Sequence, residues 1–232
     1  YHPSNACIVI YGNCDMNERL RYLDEMYLSS FDAADLTFPE TYQKPFNEPK
    51  TASHEYAIDE GSSTDGKYYY ALAYGLDENL NLKESLRVDA LFGYLFDESA
   101  APVREKIMAA NLGQDFFSWS FNFGQTAFVV GLKQAKAKVG EAFEETFLQA
   151  LREELEQGLD AKAIEAQLNR IDFNLRECQN YPTRGIIYAL NGFEAWVHDE
   201  SMLDKWSYAK PLRELRDELA EGKLDAFEAA VK

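Results

Sequence analysis

A chain of 232 residues, 46% hydrophobic and 14% aromatic, carries enough apolar mass for one large domain or one domain with a helical extension, which excludes intrinsic disorder. Its 40 acidic against 23 basic residues leave a net charge of −17, spread along the chain, so nucleic acid and anionic membranes are excluded as partners and the acidity reads as a solubilising surface. Cys7, Cys14 and Cys178 form no C-x-x-C pair and indicate neither a disulfide framework nor a Cys-rich zinc site. They fit a reducing compartment, the cytoplasm first and an organelle matrix as the alternative, and apolar runs such as 126–132 are too short to span a bilayer.

The chain opens Tyr1-His2-Pro3-Ser4-Asn5, with no initiator Met and no leader, and runs at once into a strand pattern, which gives the expectation of a segment from a longer protein. Residues 6–11 (ACIVIY), closed by Gly12, predict a short buried strand. Asp15 is placed to cap a helix, with Glu18 completing a capping box, and Met16, Leu20, Leu23 and Tyr27 recur at helical spacing as one buried face. From Leu36 to Ala52 the periodicity stops, and Pro39, Pro45 and Pro49 mark an extended connection.

Two strand-like runs, 54–59 and 67–76, flank Gly61-Ser62-Ser63-Thr64-Asp65-Gly66, which is hairpin chemistry. Residues 86–96 are apolar nearly all round, as a helix between a sheet and a second element requires, and Pro102 starts a shorter helix with Val103, Ile107 and Leu112. Residues 116–123 and 126–132 read as a second hairpin around Gly124-Gln125. One amphipathic helix then carries Phe143, Phe147, Leu151 and Leu155 up to Gly158; another, capped by Asp160, carries Ile164, Leu168, Ile171 and Leu175. Beyond Pro182 the chain is helical and aromatic, and Trp196 and Trp206 are expected to pack rather than stay exposed. The order β-α-β-β-α-α-β-β-α-α plus a helical tail predicts an α+β two-layer sandwich, with a mostly antiparallel sheet and helices on one face.

The residues for independent chemistry are missing. A zinc hydrolase needs imidazoles and carboxylates a helical turn apart, yet His2, His54 and His198 stand singly and neither H-E-x-x-H nor H-x-x-E-H occurs. His54 and Glu55 fall on opposite faces of a strand, and with His198-Asp199-Glu200 they read as surface or turn polar residues. There is no G-x-S-x-G elbow, no Cys motif that would lower a thiol pKa, no P-loop and no G-x-G-x-x-G. Glu144-Glu145 and Glu153-Glu154 are solvated helix faces, and Arg104 and Arg184 read as salt-bridge partners of neighbouring acids. No catalytic residue, no metal ligand and no cofactor is assigned to this chain.

The opening Tyr1-His2-Pro3-Ser4-Asn5, the run to Gly12 and the acid-capped helix with Arg19-Leu20 and Leu23 resemble a segment of the pitrilysin or insulin-degrading-enzyme superfamily of zinc metallopeptidases, most of all its presequence-protease subfamily. The stretch from Phe173 through Arg176-Glu177, Pro182-x-Arg184-Gly185 and Trp196 to Pro211-Leu212 is similar to that family's passage from its second domain into its central helical linker. The resemblance implies a LuxS/mitochondrial-processing-peptidase-like metallohydrolase fold, with residues 1–180 as a non-catalytic domain and 181–232 as a helical linker or the start of the next segment. It also implies a parent of four homologous domains enclosing a peptide in two bowls, with zinc held by an H-x-x-E-H motif upstream of this chain. The partners it implies are the remaining domains of the parent and peptide substrates.

In the family's fourth domain an Arg on the short helix and a Tyr at the next strand assist catalysis. Arg104 holds a comparable place, but 112–117 supply no Tyr, so no catalytic role is assigned to it. The resemblance implies an exosite at Ser99, Ala100, Ala101, Phe116, Phe117 and Ser118: small residues before Pro102 allow close backbone approach, and a strand edge offers hydrogen bonds to an extended peptide, while the alternative is that Phe116 and Phe117 simply alternate between the core and a covered face. The competing reading is an independent binding or scaffold module related to inactive peptidase subunits.

Overall fold

The apolar alternation across 115–135 folds into a hairpin whose second strand becomes the centre of a sheet. In the computed structural model, which describes residues 2–36, 42–78, 80–123, 125–177, 181–198 and 201–232, strands β1 (Tyr68–Glu78), β2 (Asp115–Phe123) and β3 (Gln125–Ala135) form an antiparallel three-stranded sheet in the order β1-β3-β2. The β2–β3 ladder runs without a break from Asp115↔Lys133 to Phe123↔Gln125. The β1–β3 ladder, which aligns Leu72 with Val130, has irregularities near both ends.

Strand alternation sends Phe116, Phe128, Val130 and Leu132 to one face, and that face is covered. Asn81 caps α2 (Leu82–Phe92) through its Oδ1, which accepts from the Glu84 amide at 3.1 Å. The helix runs on into a π-helical turn, Gly93–Asp97, and Pro102 opens α3 (Pro102–Ala109). From α4 (Gly140–Gln157), Phe147 stacks on Tyr74 at 5.7 Å and meets Phe96 at 5.9 Å, while Phe96 and Tyr74 both stack on Phe128. Ile164 and Leu168 of α5 (Ala161–Glu177) are fully buried. The opposite sheet face carries Trp119, 57% exposed, and exposed Ala71 and Ala73. This is the α+β two-layer arrangement expected from the element order.

The chain divides into two compact units, Tyr42–Phe173 with Tyr208–Lys232, and Tyr1–Thr41 with Asn174–Ser207. In the first, α8 (Ala209–Ala220) and α9 (Asp225–Val231) bury Leu212, Leu215, Leu219 and Phe227. An ionic cluster joins α8 to α2: Lys83 Nζ lies 2.7 Å from Glu218 and 3.3 Å from Glu214, and Arg87 Nη2 lies 2.8 Å from Glu218. Arg87 is buried, also pairs with Glu84, and sits 5.1 Å above the Phe227 ring.

The second unit holds α1 (Met16–Met26), α6 (Arg184–Val197) and α7 (Met202–Trp206). Asp15 caps α1 as expected, its Oδ1 accepting from the Glu18 amide at 3.0 Å. Trp206 Nε1 donates to the Tyr188 carbonyl at 3.2 Å over Gly192, so it packs as expected, whereas Trp196 remains at the surface. Arg184 lies over the Tyr11 ring and bonds its hydroxyl, a contact that Gly185 permits because a Cβ there would fall 2.2 Å from Tyr11 Cδ1.

Three expectations are corrected. Residues 6–11 form no strand, and Ile8 and Val9 are exposed. Residues 54–59 form none either: β1 pairs across a long sequence gap with apolar β3, which buries more than the polar run His54-Glu55 could, and Tyr56 meets the Tyr69 ring of β1 and donates to the Lys67 carbonyl just before it. The predicted buried stripe of α1 is open, with Met16, Leu20 and Tyr27 exposed and Leu23 half-buried. In each case the periodic pattern is present but most of its apolar side chains stay exposed. Leu36 lies at the edge of the described residues, and Pro39 and Cys178 lie outside them.

Replacing Arg87 by Ala leaves Glu218 with Lys83 alone and removes a buried cation from α2, and it should cost about 3 kcal/mol in urea unfolding. Burial works against ionisation of Glu218, but hydrogen bonds from Lys83 and Arg87 outweigh it and hold the carboxyl below its ordinary 4.5. A lowered folded-state pKa gives stability that is complete above the unfolded value and fades as pH falls through the folded one. Glu218→Gln should therefore lose stability at neutral pH and show a shallower acid loss below about pH 4.5 than the unsubstituted chain, read from denaturation midpoints across pH.

Candidate functional site

β2 is a margin strand, and the direction of its free backbone groups follows from two bonds at its start. The Phe116 carbonyl accepts from Arg104 Nη1 at 2.9 Å, and the Phe116 amide donates to Asp115 Oδ1 at 2.8 Å. Both groups of Phe116 thus point away from β3. In an antiparallel ladder this outward direction recurs at every second residue, and the unbroken register carries it to Ser118 and Ser120. Phe117 and Trp119 spend their backbone groups on β3.

The margin at 118–120 opens onto a cleft of about 330 Å³. Ser118, Trp119 and Ser120 form one wall; Asp89, Phe92, Gly93 and Asp97 of α2 and the π-helical turn face them, with Arg170 and Ile171 of α5. The π-helical turn inserts one extra residue per turn and so re-aims the chain beside the strand. Tyr94 anchors it: its hydroxyl donates to Glu154, which is buried rather than on the solvated face expected for it, and accepts from the Asp160 amide at 3.2 Å, and burial, then the Glu154 bond, push the phenol pKa well above its usual range. Gly93 lets α5 come close, since a Cβ there would stand 2.7 Å from Gln167 Oε1. Arg170 bridges Asp97 at 3.3 Å and Glu98 at 3.0 Å.

The residues expected from sequence to form the site are only partly brought together. Ser118 lines the cleft. Phe116 is core, and its outward backbone groups are occupied. Phe117 turns to the opposite sheet face, flat over Gly131, with Trp119 5.0 Å away and Lys133 5.6 Å above its ring. Ala101 is buried at the head of α3, and Ser99 and Ala100 are exposed in the preceding turn; none of the three lines the cleft. Arg104 pairs with Asp115 Oδ1 at 3.1 Å, an acid on β2 rather than the neighbouring helix acid expected for it, and sits 5.6 Å over the Phe116 ring.

Ser120 and the helical wall were not anticipated. Ser120 was within reach of the alternation Phe116-x-Ser118-x-Ser120, whereas Asp97 and Arg170 meet across more than seventy residues and leave no local signal.

The histidines do not assemble a metal site. His2 Nδ1 accepts from the Ser4 amide at 3.1 Å, and among the described residues no three His, Cys, Asp or Glu side chains are grouped to hold an ion. The donor set of the described residues does not fit zinc. Among the described residues no helix is long and apolar enough to cross a membrane.

Comparison with known proteins places this arrangement. Residues 1–171 match the model of the "Peptidase M16 inactive domain". The chain is 32% identical to Protein HypA of Clostridium perfringens over 94% of its own length and 23% of that protein. It is 31% identical to Presequence protease 1, chloroplastic/mitochondrial, of Arabidopsis thaliana over 95% of its length and 21% of that protein. It therefore spans less than a quarter of the length of these curated relatives. A solved inactive peptidase domain from Bordetella parapertussis shares the fold at a TM-score of 0.52, covering 69% of this chain and 80% of that one at 14% identity. The chain belongs to the M16 peptidase family, within the pitrilysin superfamily its sequence resembles, and it is the non-catalytic kind of domain in that family.

Proposed function

We propose that this chain works inside a longer zinc metalloendopeptidase, where it walls the substrate chamber and offers the free margin of β2 as an exosite for extended peptides. The observation that carries this reading is the pair of outward-facing backbone positions, Ser118 and Ser120, opening onto the cleft. Main-chain hydrogen bonds hold a peptide whatever its side chains, which suits an enzyme that must accept many sequences. The relatives' greater length supports a parent that supplies the remaining domains and the zinc. We assign residues 1–180 to the peptidase-family domain and 181–232 to a helical linker or the start of the following segment, of which α8 and α9 pack back onto the larger unit. A reducing interior, cytoplasm or organelle matrix, fits the free Cys7 and Cys14 and the organellar name of the Arabidopsis relative.

Proline at 118 removes one outward donor and leaves the β2–β3 ladder whole, because the Ser118 amide faces away from β3. Ser118→Pro should weaken capture of an extended peptide by the assembled enzyme about 5-fold, the worth of one hydrogen bond, with its zinc content unchanged. Trp119→Pro, which breaks the ladder, should instead lower the melting temperature. Unchanged affinity in a folded Ser118→Pro enzyme would refute the exosite.

After dialysis against a chelator and return to zinc buffer, the isolated chain should hold substoichiometric metal by atomic emission and cleave no peptide. One tightly held zinc per chain would overturn the assignment of the metal to the rest of the parent.

A further inference from the structure

We propose that Arg104 and Asp115 set the register in which an extended peptide adds to β2, by closing the margin at Phe116 so that pairing starts at Ser118. This rests on the exosite reading above. A free strand margin fixes no register by itself, because an incoming chain can slide along it in steps of two residues and find the same outward pattern of donors and acceptors. Here the first outward position is already used: the Phe116 carbonyl is held by Arg104 Nη1 at 2.9 Å and the Phe116 amide by Asp115 Oδ1 at 2.8 Å.

The guanidinium is itself fixed, by Asp115 at 3.1 Å and by its place 5.6 Å over the Phe116 ring, and α3 positions it on its first turn after Pro102. Its planar fork makes two bonds at once, which a lysine ammonium on a flexible stem does not reproduce. An added strand therefore meets a side-chain plug at Phe116 and open backbone at Ser118 and Ser120, where the cleft also begins. Arg104 and Asp115 are positioning residues: they touch the margin and limit where the peptide lies.

The test uses the full chain and a short capped peptide of alternating threonine and valine with a nitroxide at one end. In the unsubstituted chain the peptide should slow amide exchange at Ser118 and Ser120 several-fold and leave the Phe116 amide unchanged. In the double variant Arg104→Met, Asp115→Ala, the Phe116 amide should join the protected set, and nitroxide broadening should move two residues toward the start of β2. Arg104→Lys should give an intermediate footprint.

A footprint that already includes Phe116 in the unsubstituted chain overturns the plug, and this reading needs no variant to fold. A footprint confined to Ser118 and Ser120 in a folded double variant also overturns it while leaving the exosite standing. No protection anywhere on β2 in the unsubstituted chain overturns the exosite, and the register device falls with it.

Discussion

The larger unit depends on β3 being enclosed. Val130 and Leu132 are fully buried because β1 and β2 fill both sides of their strand while Phe96 and Phe147 lie in the helical layer above it. A strand so apolar would be an aggregation hazard with either side open, and pairing on both sides converts it into a platform. Its two neighbours thereby become the margins. Of these, β1 has irregular pairing and β2 an unbroken ladder, so β2 presents evenly spaced backbone groups. The candidate site is thus a by-product of how the core is closed.

The helical layer is held by polar clasps at its periphery. Tyr94 with Glu154 and the Asp160 amide ties the π-helical turn to the helices around it, and Arg87 ties α2 to α8. Such groups are costly to desolvate and rewarding only in one geometry. They fix which helix turn faces which, and the cleft wall at Gly93 and Asp97 inherits that placement.

Much of this was legible in the residues. The hairpin at 115–135, the cap at Asp15, the helix begun by Pro102 and the spacing of Phe143 and Phe147 are local signals, and local geometry honours them. What failed was pairing. The apolar run at 6–11 and the stripe of α1 state that a partner is needed without saying which surface it is, and most of their side chains stay exposed. The site was half legible for the same reason. Ser118 sits on a strand whose edge position depends on a sheet order that no periodicity encodes, and of the adjacent Phe116 and Phe117, alternation lets only one face the helical layer.

A strand has two faces and two sides, and β2 uses them for separate purposes. Side chains at 116, 118 and 120 look toward the helical layer, those at 117 and 119 look away from it, and the margin is made of peptide groups that every residue except proline supplies alike. Substitutions on the outward face can therefore accumulate without altering what the margin offers. Selection on peptide capture would therefore leave its mark in the avoidance of proline along the margin and in the Arg104–Asp115 pair that closes it at Phe116.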